Sequence, residues 1–314
     1  MFELLDPADS RDDKVESHGR TLTPVPLVSV LLAVHNDARF LREAVDSVLR
    51  QTLGDLELLA IDDASTDETP SVLAEIDDPR LAVLRNDRQS GLAASLNRGL
   101  DEASGKYVAR LDADDVALPE RLERQVERLR ADSHTVVVGT GIADLDERGH
   151  RGRTHLLPQG ALPLRWHALF SSPFFHPTVL VDRETLAAHD LRYDPAFLES
   201  EDYDLWTRLF AFADGDNLAD VLVLKRVHAA QASLRRSDLQ GSFQRQIGLR
   251  EIARIAPGID ADAAWRIGAR KRARRGARKE FLRLLAAFEH KHGRDPAIRL
   301  AALRALLSPR RRRA

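Results

Sequence analysis

Leu27 to Asp63 reads LVSVLLAVHNDARFLREAVDSVLRQTLGDLELLAIDD, and the order of its patterns decides the fold class. The first eight residues are apolar but for Ser29, as suits a strand buried on both faces of a parallel sheet. His35-Asn36-Asp37 breaks that run. From Ala38 to Gln51, Leu41, Val45, Val48 and Leu49 recur at helical spacing with Arg42, Glu43 and Asp46 between them, which predicts an amphipathic helix. A second strand follows at Leu56 to Ile61.

Working outward, the alternation continues. Thr69-Pro70 reads as an N-cap and first residue of a helix through Ile76, Leu81 to Leu84 as a strand, and Ser90 to Ala103 as a helix entered through Gly91. Tyr107 to Leu111 completes a fourth strand. This is an α/β pattern with a mixed, mostly parallel sheet flanked by helices. Ligands of such sheets sit beyond the carboxyl ends of the strands, and His35, Asp63 and Asp112 each follow a strand end. Further on, Val136 to Gly139 predicts a strand, with Gly139-Thr140-Gly141 as a turn after it. Pro158 to Pro177, rich in Pro, His and aromatics, suits an irregular lid or pocket wall. A helix starts at Ser200 with Leu205, Trp206, Leu209 and Phe210 on its apolar face, and Val221 to Val227 is a last strand leading into His228.

The fourth predicted strand delivers the densest charge in the chain, VARLDADDVALPE from Val108 to Glu120. Asp112, Asp114 and Asp115 repel one another unless a cation, a helix N-terminus or a basic partner offsets them. From these residues alone, a divalent metal site and a set of caps for the helix begun at Pro119 are both open.

Composition narrows the classes. The 314 residues are 43% hydrophobic and 31% charged, as in a soluble globular protein. With no cysteine, a disulfide framework, a thiolate zinc site and a cysteine nucleophile are excluded. The N-terminus lacks the basic start and apolar core of a secretory signal, and no apolar run approaches the roughly 18 residues of a membrane span. A cytoplasmic location is expected, with peripheral contact on the inner face of the membrane as a further option. Residues 261–314 hold 17 Lys or Arg against 4 Asp or Glu, while residues 1–260 hold 30 against 45. Such a basic tail on an acidic body suits an anionic surface.

Four blocks together carry a resemblance. The stretch quoted first, extended through ASTDET, is followed by NRGLDEASGKYVARLDADDVALPERL, SEDYDLWTRL and VHAAQAS, in an order and spacing similar to the family 2 glycosyltransferases, from about residue 27 to about 235. The resemblance implies a GT-A fold over residues 27–240, with a nucleotide-binding half at 27–130 and an acceptor half at 131–240. A flexible lead-in, 1–26, precedes it and a basic helical region, 241–314, follows. It also implies inverting transfer of one sugar from a nucleoside diphosphate to an acceptor hydroxyl, in cell-surface polysaccharide, glycolipid or glycoconjugate synthesis. The QxxRW block of processive members is absent.

By that resemblance Asp63, beside Asp62, receives the base against Ala33, Val34 and His35, and Arg88 and Asn97 line the donor site. Gln89 stands where the family commonly has Asn. Asp112 addresses the ribose or a metal-bound water, and Asp112, Asp114, Asp115 and His228 hold Mn²⁺ or Mg²⁺ on the diphosphate. Gln231 and Ser233 accompany His228. Asp202 is the general base, with Glu201 beside it, and His176 either touches the acceptor or packs. The acceptor is a saccharide or lipid-linked saccharide. Nucleic acid is not an expected partner, and a homodimer is an option.

The apolar stripe Phe281, Leu282, Leu284, Leu285 and Phe288 in the basic region could lie on a membrane, pack on the catalytic domain or meet a second copy. A noncatalytic nucleotide-sugar sensor or scaffold on the same fold is the alternative function. A phosphoacceptor signalling domain fits less well, since the chain is too long and no suitably placed Lys stands out.

Overall fold

The structure is a computed structural model that describes residues 25–228 and 237–307. Gln231, Ser233, the terminal arginine run and nearly all of the lead-in lie outside the described residues. Among them, strands β1 (Val28–Val34), β2 (Leu56–Asp62), β3 (Leu81–Arg85) and β4 (Tyr107–Arg110) alternate with helices α1 (Ala38–Leu49), α2 (Thr69–Ala74) and α3 (Leu92–Glu102). After β4 come β5 (Val116–Ala117), α4 (Arg121–Ala131), β6 (Thr135–Leu145), β7 (Arg151–His155), α5 (Ala161–His167), a 3₁₀ turn (His176–Thr178), β8 (Leu180–Asp182), α6 (Arg183–Ala188), α7 (Glu201–Leu209) and β9 (Asp214–Arg226). Four helices close the chain: α8 (Ser237–Ile255), α9 (Ala261–Gly268), α10 (Ala277–His292) and α11 (Pro296–Leu307).

All nine strands join one sheet, ordered β3-β2-β1-β4-β8-β6-β9-β5, with β7 on β6. The first four are parallel, as their apolar runs require. β4 then meets β8 antiparallel, and β6 pairs β9 in parallel. Val34 lies opposite Asp62 and Leu31 opposite Arg110, so the polar residues after β1, β2 and β4 emerge at one edge. The two faces of the sheet carry separate cores, one around Leu32, Val45 and Leu58, the other around Leu31, Leu96 and Trp206.

Two local expectations change. Thr69 is the first helical residue and not the cap, because Asp67 takes the capping work: its Oδ1 accepts from the Thr69 N–H at 3.0 Å. Gly139-Thr140-Gly141 lies within β6, not in a turn. A Cβ at Gly139 would collide with Asn217 Oδ1 and the Phe174 ring, so glycine serves close strand approach there.

The basic region packs inward. Phe281, Leu284 and Phe288 are buried with Trp166 and Phe170, Leu285 is half-buried, and of the stripe only Leu282 stays exposed. Trp166 meets Phe281 edge-on at 5.7 Å and Phe288 at 5.2 Å. Of the three fates the sequence left open for this stripe, packing on the catalytic body is the one seen. No described helix is long and apolar enough to cross a membrane.

Candidate active site

A crevice of about 470 Å³ opens beyond β1 and β4. It brings together Ala33, Val34 and His35 from the end of β1, Asp112 and Asp114 after β4, Glu201 and Asp202 at the start of α7, and His228 after β9. These were separate blocks in the sequence. His176 also lines the crevice, its Nε2 lying 3.1 Å from the Tyr193 hydroxyl. Burial, and then the Arg110 charge, hold its imidazole basicity well below the ordinary value.

The aspartates after β2 serve a different purpose from those after β4. Asp62 is buried, its Oδ1 accepting from the Ser65 N–H at 2.9 Å. Asp63 accepts from Asn86 Nδ2 at 2.6 Å and from the Ser90 and Gly91 N–H groups, each at 2.8 Å. Burial pushes its carboxyl up, but these donors outweigh burial and hold it below the usual carboxylate range. His35 Nδ1 lies 2.8 Å from the Asp63 carbonyl, which fastens the end of β1 to that of β2.

The cluster after β4 lacks such compensation. Asp112, Asp114 and Asp115 each offer an oxygen within 4.8 Å of the others. Asp114 pairs with His228 Nε2 at 3.0 Å, and burial, then the Asp112 charge, raise its carboxyl. Asp115 is almost wholly buried; its Oδ1 accepts the Arg226 N–H at 2.8 Å and its Oδ2 has no partner among the described residues. Burial and its two acidic neighbours push it well above the ordinary range. Three clustered carboxylates, one with an orphaned oxygen, form a hard-oxygen donor set that fits Mg²⁺ or Mn²⁺.

Across the crevice, Asp202 Oδ2 accepts from Ser172 Oγ at 3.2 Å. Burial raises its carboxyl, opposed by the Tyr203 N–H and the Arg110 charge. Burial and the neighbouring Asp202 charge push Glu201 up to about 7. The helix that presents them is braced from behind: Arg250 of α8 reaches Asp204 at 2.6 Å and Thr207 at 2.8 Å, and Arg208 reaches Asp204 at 2.7 Å.

Residues 29–182 match the sequence profile described as Glycosyl transferase family 2. EpsE of Bacillus subtilis (strain 168) is 38% identical over 191 residues, covering 59% of this chain and 67% of its own. An uncharacterized glycosyltransferase of Haemophilus influenzae is 32% identical over 218 residues, covering 66% and 68%. The chain is a family 2 glycosyltransferase.

The fold of this glycosyltransferase is shared by solved GT-A structures. S. aureus TarS 1-349 in complex with UDP-GlcNAc superposes with a TM-score of 0.60 at 18% identity, covering 89% of this chain and 79% of that one. The mannosyltransferase PcManGT from Pyrobaculum calidifontis, in complex with GDP-Man and Mn²⁺, gives 0.56 at 21% identity, covering 91% and 81%.

Of the residues expected at the donor site, Asp62, Asp63, Arg88 and Asn97 are not among those lining the crevice. Asn97 holds the Tyr193 backbone from both ends of its amide, at 2.8 and 3.0 Å. Arg88 is exposed and is not part of the crevice wall. Conversely, none of the sequence blocks assigns a role to Arg110. This buried guanidinium at the end of β4 grips Asp112, and its Nη1 has no partner among the described residues. An arginine in an otherwise apolar strand, directly before the acidic cluster, was the available signal. Asp37 was also passed over: burial and then the Asp114 charge raise its carboxyl to about 6 at the crevice wall.

Proposed function

We propose that this glycosyltransferase moves one sugar, with inversion, from a nucleoside-diphosphate donor to an acceptor hydroxyl, and that Asp202 is its general base. The observation that supports this most is one crevice walled on one side by Asp112 and Asp114 and on the other by Asp202. As the acceptor oxygen attacks the anomeric carbon, its proton passes to the Asp202 carboxylate, and the bond from that carbon to the diphosphate oxygen breaks, leaving the electron pair on the diphosphate. A raised carboxyl accepts a proton better than an ordinary one, while Arg110 and Ser172 oppose the effect of burial and Ser172 aims the carboxylate.

Ala33, His35, Asp62 and Asp63 would frame the base, and Asp112, Asp114 and Asp115, with His228 behind Asp114, would hold the divalent cation. When bound, that ion offsets charge on the leaving diphosphate. Glu201, near the midpoint of its titration at neutral pH, supports Asp202 or binds the acceptor. Relatives name the context: ExoO of Rhizobium meliloti, 34% identical over 190 residues, is a succinoglycan biosynthesis protein, so a cell-surface polysaccharide acceptor is the reading adopted here. The sensor alternative has no use for a base opposite the acidic cluster.

The test is nucleoside diphosphate release from UDP, dTDP and GDP sugars with Mn²⁺. Release that stops on chelation is expected; turnover indifferent to chelator would remove the metal role, and no release from any donor would remove the reading.

A further inference from the structure

The crevice continues beyond the reacting groups. Gln244 of α8 faces both the crevice and a second cavity of about 530 Å³, walled by Trp166, Phe170, Trp265 and Phe281. Arg270, Lys271 and Ala305 in turn line both that cavity and a third one of about 320 Å³, which Arg274, Arg275 and Arg278 complete. Shared side chains thus link three spaces from Asp202 to the C-terminal helices.

The outer cavity concentrates positive charge. Five cations line it and no carboxylate does. Nearby acids are engaged elsewhere: Asp262 pairs with Arg245 and Arg266, and Glu280 with Arg283. Clustered cations without counter-charge repel, and an anion among them relieves that repulsion.

We propose that the outer cavity binds a phosphate group carried by the acceptor, with the aromatic cavity holding the saccharide that runs between it and Asp202. This rests on the transfer reading above. Guanidinium forks match phosphate oxygens in bidentate pairs. The tryptophan and phenylalanine side chains that line the middle cavity suit the apolar faces of pyranose rings.

Tripolyphosphate is the probe, titrated calorimetrically into the full chain in EDTA, where the acidic crevice offers it no cation. Arg274→Glu with Arg275→Glu should weaken binding about tenfold or more. Arg272→Glu with Lys279→Glu makes the same charge change outside the cavity and should leave binding within about twofold of wild type. No binding by wild type, or equal weakening in both variants, overturns the proposal. Vesicles of phosphatidylglycerol in phosphatidylcholine form a second arm: vesicle binding that needs Arg274 and Arg275, without tripolyphosphate binding, assigns these cations to a lipid surface and also overturns it. Acceptor-free release of nucleoside diphosphate should be equal in all three proteins. Its absence from wild type counts against the transfer reading and leaves the phosphate result standing.

Discussion

Asp63, just after β2, and Asp202, in the first turn of α7, are both aspartates, and their surroundings drive them in opposite directions. Asp63 receives two backbone N–H groups and an amide, all within 2.8 Å, and is held below the usual carboxylate range. Asp202 has the Ser172 hydroxyl at 3.2 Å and the Tyr203 N–H, too few donors to offset burial, and is raised. The aspartate after β2 is therefore a fixed anchor, whereas Asp114 and Asp115 after β4 and Asp202 in α7 are left under-compensated, as the proposed cation and base roles require. A site need not differ in residue type to differ in role; the count of donors decides.

The comparison breaks most plainly at Asp202. Asp202→Asn keeps the shape and removes the proton acceptor, so turnover should fall by about 10²- to 10⁴-fold with donor affinity kept, as measured by product release and calorimetry. Loss of binding in place of turnover would make Asp202 an anchor as well. Asp63→Asn should act the other way: an amide cannot accept from all three donors, and stability should drop by about 1–3 kcal/mol in urea melts, with a raised KM for donor. Unchanged stability would show that the loop from Asn86 to Gly91 does not depend on that carboxylate.

The smallest effect is a pH signature. Glu201 titrates near 7 when folded and near the ordinary glutamate value when unfolded. The folded state therefore binds its proton more tightly, and the stabilisation present at acid pH is lost as pH rises through about 7. Melting temperatures in EDTA between pH 5 and 8, taken as wild type minus Glu201→Gln, should fall with rising pH. The difference cancels His167 and His176, whose burial-depressed basicity acts in the opposite direction. A flat difference would mean that water reaches Glu201 freely.

Much of this was legible in the sequence because the parallel half obeys local rules. β1, α1 and β2 are patterned so strongly that their order follows from side-chain spacing alone, and with it the edge where His35, Asp63 and Asp112 emerge. The contact of Asn97 could not be read locally: its helical position is local information, while its partner, the Tyr193 backbone, lies 96 residues away. Arg110 reads as an oddity in a strand until folding sets it against Asp112. The length of β6 was hidden by Gly139 and Gly141, which look like a turn and serve instead to let two strands approach. The stripe of α10 was recognised, but its partners Trp166 and Phe170 stand in a stretch whose proline content suggested only a loop.

That last contact has a consequence for engineering. Trp166 and Phe170 precede Ser172, which holds the proposed base, and their other faces are covered by α10. A chain cut near Pro257 would bare two large aromatic rings and loosen the segment that aims Asp202. Such a fragment should be sticky and sluggish together, and the C-terminal helices are better treated as the back wall of the enzyme than as a detachable adaptor.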